Sequence, residues 1–333
     1  MAMVLVLIGR KTEMEKAQNR STMAVRFMSR LRHFRTSTAQ SLPSISSSLL
    51  RRFSDVSQIA PPLSVDIPVV SDTSNTVVNN GARVSSKSSV DAAEHAKFSA
   101  VAETWWDAEG PFKPLHALNP TRLAFIRSTL CHHFRKDPNS IKPFEGLKFV
   151  DVGCGGGILS EPLARMGATV TGVDVVDKNI KIARLHAERD PLTSSIEYRC
   201  TTAEKLVEEH RVFDAVIALE VIEHVADPAE FCKSLAALTA ANGATVISTI
   251  NRTMRAYAAT ILVAEYILHW LPKGTHEWSK FVTPEELVLI LQRASVNVQE
   301  MAGFVYNPLS GKWLLSDDTS VNYIAFATKS HNE

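Results

Sequence analysis

Residues 150–157 read Val150-Asp151-Val152-Gly153-Cys154-Gly155-Gly156-Gly157, and the order of residue types here decides the fold. The stretch ends a β-branched run, Lys148–Val152, and opens onto a helix-compatible one, Leu159–Met166. Glycines this dense let the backbone take positive φ and approach a ligand closely, because no Cβ intervenes. A dinucleotide-binding loop would want glycines at 153, 155 and 158, and position 158 is Ile158. The loop is therefore built for a different ligand.

The alternation continues outward from the loop. Candidate strands are Lys148–Val152, Thr169–Asp174, Ile196–Cys200, Ala215–Leu219 and Thr245–Ile250. Between them lie the helical stretches Leu159–Met166, Asp177–Arg189, Glu204–Glu209 and Pro228–Ala240. Such alternation predicts an α/β fold, a parallel sheet with helices on both faces. After Ile250 the pattern changes to a long apolar helix and a second helix at Pro284–Ala294. Antiparallel closing strands are expected at Val296–Val305 and Val321–Thr328. Upstream, Val90–Trp106 and Pro120–Phe134 read as two helices before the sheet.

Whole-chain composition hides a division. The 333 residues carry 36 Lys+Arg, 35 Asp+Glu and 45% hydrophobic residues, which suits a globular protein and excludes a wholly disordered or collagen-like one. Met1–Phe53, however, holds ten basic residues against Glu13 and Glu15, so that segment carries +8 and the remainder −7. A basic, Ser-rich, acid-poor start able to form an amphipathic helix predicts a mitochondrial or plastid transit peptide over 1–53, the mitochondrial matrix first, with a retained disordered basic tail as the alternative. Residues 54–89, rich in Ser, Asn, Val and Pro, predict a disordered linker, leaving 90–333 as the folded domain. An acidic folded part argues against nucleic acid as partner. Cys131, Cys154, Cys200 and Cys232 have no CxxC spacing and predict buried, reduced thiols.

The compact GxGGG loop, with Asp151 two residues ahead, resembles motif I of the class I S-adenosyl-L-methionine-dependent methyltransferases. In those enzymes the loop passes under the methionine moiety. Asp174, at the end of the second strand, stands where a carboxylate can accept both ribose hydroxyls, although NAD enzymes share that acid. Thr202-Ala203-Glu204 falls where such folds meet the adenine. The fourth strand ends Ala218-Leu219-Glu220 and continues Val221-Ile222-Glu223-His224-Val225. If that segment makes one helical turn, Glu220, Glu223 and His224 share one face. Two carboxylates and an imidazole suit Mg²⁺ or Mn²⁺, with His admitting Zn²⁺. Alternatively, His224 is a general base oriented by the two glutamates.

Longer motifs narrow the resemblance. KFSAVAETWWDAEGPFKPLH (97–116), LNPTRLAFI, EVIEHVADP, STINRT and VAEYILHWLPKGTHEWSKFVTPEEL together resemble the ubiquinone-biosynthesis O-methyltransferases over about residues 94–328. The resemblance implies a Rossmann-like, seven-stranded, mostly parallel sheet with an N-terminal helical lid and a helical insertion after strand five. It implies cofactor contacts at Arg122, Gly153, Asp174 and Leu219, with Glu220, Glu223 and His224 as metal ligands and catalytic groups. The implied substrate is a polyprenylated dihydroxybenzene methylated at ring hydroxyls, and the implied setting is a ubiquinone-biosynthesis complex. The alternatives are a small-phenol O-methyltransferase of the same fold and a non-catalytic cofactor-binding scaffold.

A polyprenyl tail requires access to a bilayer. Ala256–Leu271 is the most apolar stretch, with Arg252 and Arg255 before it and Lys273 after it. With Glu265 and His269 inside, it is too short and polar to span. It can lie in the membrane interface, with Tyr266 and Trp270 at head-group depth, or cap the site as a buried helix. The expected location is the matrix side of the mitochondrial inner membrane, with peripheral contact through 252–273. His276 is a second candidate near the acceptor, and Trp105 and Trp106 can either close a lid or pack into a core.

Overall fold

A computed structural model describes residues 90–258, 277–307 and 310–329. The transit-peptide and linker readings, most of the apolar 252–273 segment and His276 lie outside the described residues.

Five parallel strands form the heart of the sheet: β1 (Lys148–Val152), β2 (Thr169–Asp174), β3 (Glu197–Cys200), β4 (Phe213–Leu219) and β5 (Thr239–Ile250). Three antiparallel strands close one side: β6 (Val296–Asn307), β7 (Lys312–Ser316) and β8 (Asn322–Lys329). The order is β3-β2-β1-β4-β5-β8-β6-β7. The sheet thus has eight strands where the sequence led to seven. The additional β7 forms an edge hairpin with β6, placing Trp313 opposite Tyr306, and the Trp313 carbonyl accepts from Thr121 at 2.9 Å. KWLLS is too short, and too little alternating, to read as a strand on its own.

Side chains alternate between two cores, as the period of two requires. On β4, Ala215, Ile217 and Leu219 join one core while Val216 and Ala218 join the other, and a register shift after Phe213 turns that residue into the second core as well. Helices α2 (Lys113–His133), α3 (Ser160–Arg165) and α4 (Asp177–Ala187) cover the first face. The second face is covered by α5 (Ala203–Glu208), α6 (Pro228–Leu238) and α7 (Pro284–Arg293). Helix α2 starts seven residues before the expected Pro120, with Pro114 in its first turn and Pro120 inside it. An interior proline forfeits one helical hydrogen bond, which packing of Phe125, Ile126 and Leu130 into the core offsets.

The N-terminal element is α1 (Ala92–Val101), whose first amides bond to the Asp91 side chain. A bridge between Val90 and Val225 pins the start of α1 beside the end of the β4 turn. Three cysteines are buried as expected, but Cys200, at the end of edge strand β3, is exposed. An edge strand lacks a neighbour to cover its last residue.

Candidate active site

The glycine loop is shaped by its turn. Gly153 has φ +73°, and a Cβ built there would lie 2.5 Å from Val221 Cγ2, so only glycine fits. Gly155 has φ +54°, and its missing side chain leaves room for the Trp105 ring. The N–H groups of Gly153 and Cys154 both donate to the Val173 carbonyl, at 2.8 and 3.0 Å, which ties the loop to the end of β2.

Asp174 is held from three sides. Its Oδ2 accepts from the Gly155 N–H at 3.0 Å, and its Oδ1 accepts from the Val176 N–H at 2.8 Å and from Asn179 Nδ2 at 3.2 Å. Burial raises its pKa, and these donors oppose the rise. Asp151, deeper in the loop, accepts from Ser160 Oγ at 2.6 Å. Burial pushes Asp151 up to about 6, against the pull of Ser160 and Arg122. Arg122 is buried on α2, and its Nη2 donates to Asn119 Oδ1 at 3.2 Å. Its Nε has no partner, a buried donor that a ligand carboxylate would satisfy.

Arg122, Gly153, Gly155, Asp174 and Asn179 face one cavity of about 280 Å³, whose wall also includes Trp105, Phe112, Thr202 and Ala203. Leu219, Glu220, Glu223 and His224 line the same cavity. The cofactor residues expected from the sequence are therefore brought together with the β4 turn.

The turn itself differs from the expectation. Glu220 takes the left-handed conformation, φ +58°, and the helical turn after it is a 3₁₀ turn over Ile222–His224. Glu220, Glu223 and His224 consequently do not project from one face of an α-helix. Ser248 Oγ donates to Glu220 Oε1 at 2.7 Å, and Thr249 Oγ1 donates to Glu223 Oε2 at 2.9 Å. Burial and the adjacent Glu220 charge drive the Glu223 pKa well above the carboxylate range. Glu223 Oε1 is buried without a hydrogen-bond partner.

His224 is tied to the N-terminal helix. Its Nδ1 meets Glu94 Oε2 at 3.0 Å, and its ring sits edge-on to Phe98 with centroids 5.0 Å apart. Burial pushes Glu94 upward, but the bonds to His224 and Lys97 outweigh it and hold its pKa at about 2. Among the described residues, no group of three or more His, Cys, Asp or Glu side chains is placed to hold a metal ion. The paired carboxylates, with one orphaned oxygen, still have the donor chemistry a hard cation needs.

Sequence reasoning missed Glu94, Ser248 and Thr249. Ser248 and Thr249 lie at the end of β5, next to β4, inside the STINRT stretch already singled out. Glu94 carries no such signal, because contacts between distant segments, the Val90–Val225 bridge and the Phe98–His224 ring contact among them, bring it to His224.

Residues 150–247 match the family model described as a methyltransferase domain. A curated relative, the mitochondrial ubiquinone biosynthesis O-methyltransferase of Arabidopsis thaliana, is 71% identical over 83% of this chain and 86% of its own length. The chain belongs to the ubiquinone biosynthesis O-methyltransferases. A bacterial member from Parvibaculum lavamentivorans is 49% identical over 74% of this chain and 96% of that protein. Among solved structures, a magnesium protoporphyrin IX methyltransferase from Synechocystis PCC 6803 with bound SAM aligns at a TM-score of 0.45 and 16% identity, over 70% of this chain and 97% of that one. The sheet is that of a class I S-adenosylmethionine-dependent methyltransferase, carrying one strand more than expected.

Proposed function

We propose that the chain transfers the methyl group of S-adenosylmethionine to a ring hydroxyl of polyprenylated catechol intermediates in ubiquinone synthesis, at both O-methylation steps, including demethylubiquinol to ubiquinol. The observation that carries this reading is the shared cavity, in which the ribose acid Asp174 and the Glu220–His224 turn face the same space. Arg122 would take the methionine carboxylate through its unpartnered Nε, Asp174 the ribose, and Gly153 and Leu219 the chain between them.

The transfer is a single displacement. A phenolic oxygen attacks the methyl carbon, the C–S bond breaks, and its electron pair stays on sulfur as the neutral thioether of S-adenosylhomocysteine. A phenol with pKa of about 10 is mostly protonated at neutral pH, so the protein must take the proton and align the oxygen. In this reading His224 takes it. With Glu94 accepting from Nδ1, a neutral imidazole would carry its lone pair on Nε2, where the hydroxyl proton would go. Phe98 and Leu115 supply the apolar wall that an aromatic ring requires.

A second reading is favoured by the orphaned Glu223 Oε1 beside Glu220. A divalent cation there, Mg²⁺ in preference to Mn²⁺ or Zn²⁺, would supply Lewis-acid activation of the hydroxyl pair. In this reading Glu220 and Glu223 would hold the ion, and His224 would join them through Nε2 while Nδ1 stays on Glu94. The full chain, given methyl-labelled S-adenosylmethionine and a short-tail prenyl-dihydroxybenzoate, should form the labelled O-methyl ether. Cofactor bound without transfer would favour a scaffold. Full activity after thorough chelation supports His224 as base, and loss restored by Mg²⁺ supports the carboxylate pair.

The same proposal places the protein at the matrix face of the mitochondrial inner membrane, within a ubiquinone-biosynthesis complex, after removal of 1–53. The mitochondrial relative supports the organelle. No described helix is long and apolar enough to cross a membrane. Contact through 252–273 gains support from Met254, which is 73% exposed between Arg252 and Arg255. Flotation with cardiolipin-containing liposomes tests it, and flotation unchanged in a Leu262→Asp, Ile267→Asp variant would reject it.

A further inference from the structure

The reading of the cavity as a cofactor site leaves one connection unexplained. Trp105 lies on the N-terminal segment, outside the sheet, and is 8% exposed. Its indole Nε1 donates to Asn179 Oδ1 at 2.8 Å across 74 residues of sequence. Asn179, 2% exposed on α4, in turn donates Nδ2 to Asp174 Oδ1 at 3.2 Å. An indole nitrogen can only donate, so the asparagine atom facing it must be the oxygen. The amide nitrogen is thereby forced to the other side, towards the carboxylate. The Asp174 carboxylate, which accepts, asks for the same orientation, so the indole N–H and the carboxylate hold the amide from its two ends.

We propose that Trp105 is a positioning residue for the cofactor: its N–H locks the Asn179 amide so that the donor end holds the Asp174 carboxylate in place for the ribose hydroxyls. This rests on the reading of the cavity as an S-adenosylmethionine site. Packing alone would not require the arrangement. The Trp105 ring already stacks on Phe112, with centroids 3.7 Å apart. It also lies against the glycine loop, where a Cβ on Gly156 would come within 2.5 Å of Trp105 Cβ and Cγ. Its only polar atom is directed to the residue that fixes the ribose acid. The adjacent Trp106 anchors the same segment, donating Nε1 to the Gly156 carbonyl at 2.9 Å and stacking on His186 at 3.5 Å. A segment outside the sheet thus completes the cofactor site.

The test is calorimetric titration of the full chain with S-adenosylhomocysteine and with 5′-methylthioadenosine, which keeps the ribose and lacks the amino-acid end. Trp105→Phe preserves the stacked ring and removes the N–H. It should weaken both ligands about tenfold, the size expected for one hydrogen bond in a network to a charged group. Asn179→Ala should weaken them at least as much, and the double variant should be no worse than Asn179→Ala alone. In turnover, the change should fall on KM for S-adenosylmethionine more than on kcat. Wild-type affinity in Trp105→Phe would overturn the proposal, as would a loss confined to S-adenosylhomocysteine or additive losses in the double variant. If Trp105→Phe does not fold, unchanged affinity in Asn179→Ala overturns it equally. Failure of the wild-type chain to bind S-adenosylhomocysteine would overturn the cofactor reading instead.

Discussion

The two halves of the cavity are built by different means. The cofactor half, from Gly153 to Asp174, is held by short-range bonds between a loop and the strand beside it, as in the paired Gly153 and Cys154 amides on Val173. The acceptor half depends on partners far away in sequence: Glu94 for His224, Ser248 for Glu220 and Thr249 for Glu223. The loop and Asp174 of the first half form within one β1–loop–β2 unit, to which Trp105 adds a bond through Asn179. The second exists only when an N-terminal helix and a neighbouring strand have docked.

If that division is real, substitutions should separate binding from chemistry. The largest effect is expected for His224→Ala, where loss of the proton acceptor should lower kcat by about 10²- to 10⁴-fold. S-adenosylhomocysteine affinity should stay near that of wild type, and equal collapse of both would erase the distinction. Next is Asp174→Ala, which removes the ribose carboxylate and should weaken S-adenosylhomocysteine about a hundredfold by calorimetry, since two charge-assisted bonds are lost. A drop in kcat at saturating cofactor with affinity intact would contradict the assignment. Glu94→Gln keeps the shape and removes the charge, so kcat should fall about tenfold with S-adenosylhomocysteine affinity unchanged. Wild-type turnover in that variant would reduce Glu94 to a packing residue.

The smallest effect is on stability. Asp151 has its folded-state pKa raised to about 6 by burial, so its favourable neutral form is fully present below about 4 and is lost as pH rises through 6. In the ligand-free protein, Asp151→Asn should therefore gain thermal stability relative to wild type between pH 4 and pH 7. A difference in Tm that does not change over that range would argue against the buried carboxylate.

The same contrast explains what could be read in the sequence. The order of β1 to β5, the glycine loop and Asp174 follow from local alternation and spacing, because parallel βαβ units repeat those signals along the chain. Strand β7 escaped because five residues on an edge carry no period. The joint projection of Glu220, Glu223 and His224 failed because an α-turn was assumed where Glu220 adopts positive φ. Positive φ at a glutamate leaves no mark in composition. Glu94 carries no signal for a further reason: it is placed by contacts between distant segments, such as the Val90–Val225 bridge and the Lys280–Asp91 ion pair. For Trp105 the sequence leaves a lid and a core position open, and its link to Asn179 depends on the direction of the N–H, which no sequence pattern records.

Both halves must act on one substrate pair, and a single-turnover experiment asks this directly. The full chain is loaded with methyl-labelled S-adenosylmethionine, freed of excess, and mixed with short-tail demethylubiquinol. The label should move to a ring O-methyl ether, with one S-adenosylhomocysteine formed for each ether. Label remaining on S-adenosylmethionine, while acceptor and cofactor are both bound, would contradict the account.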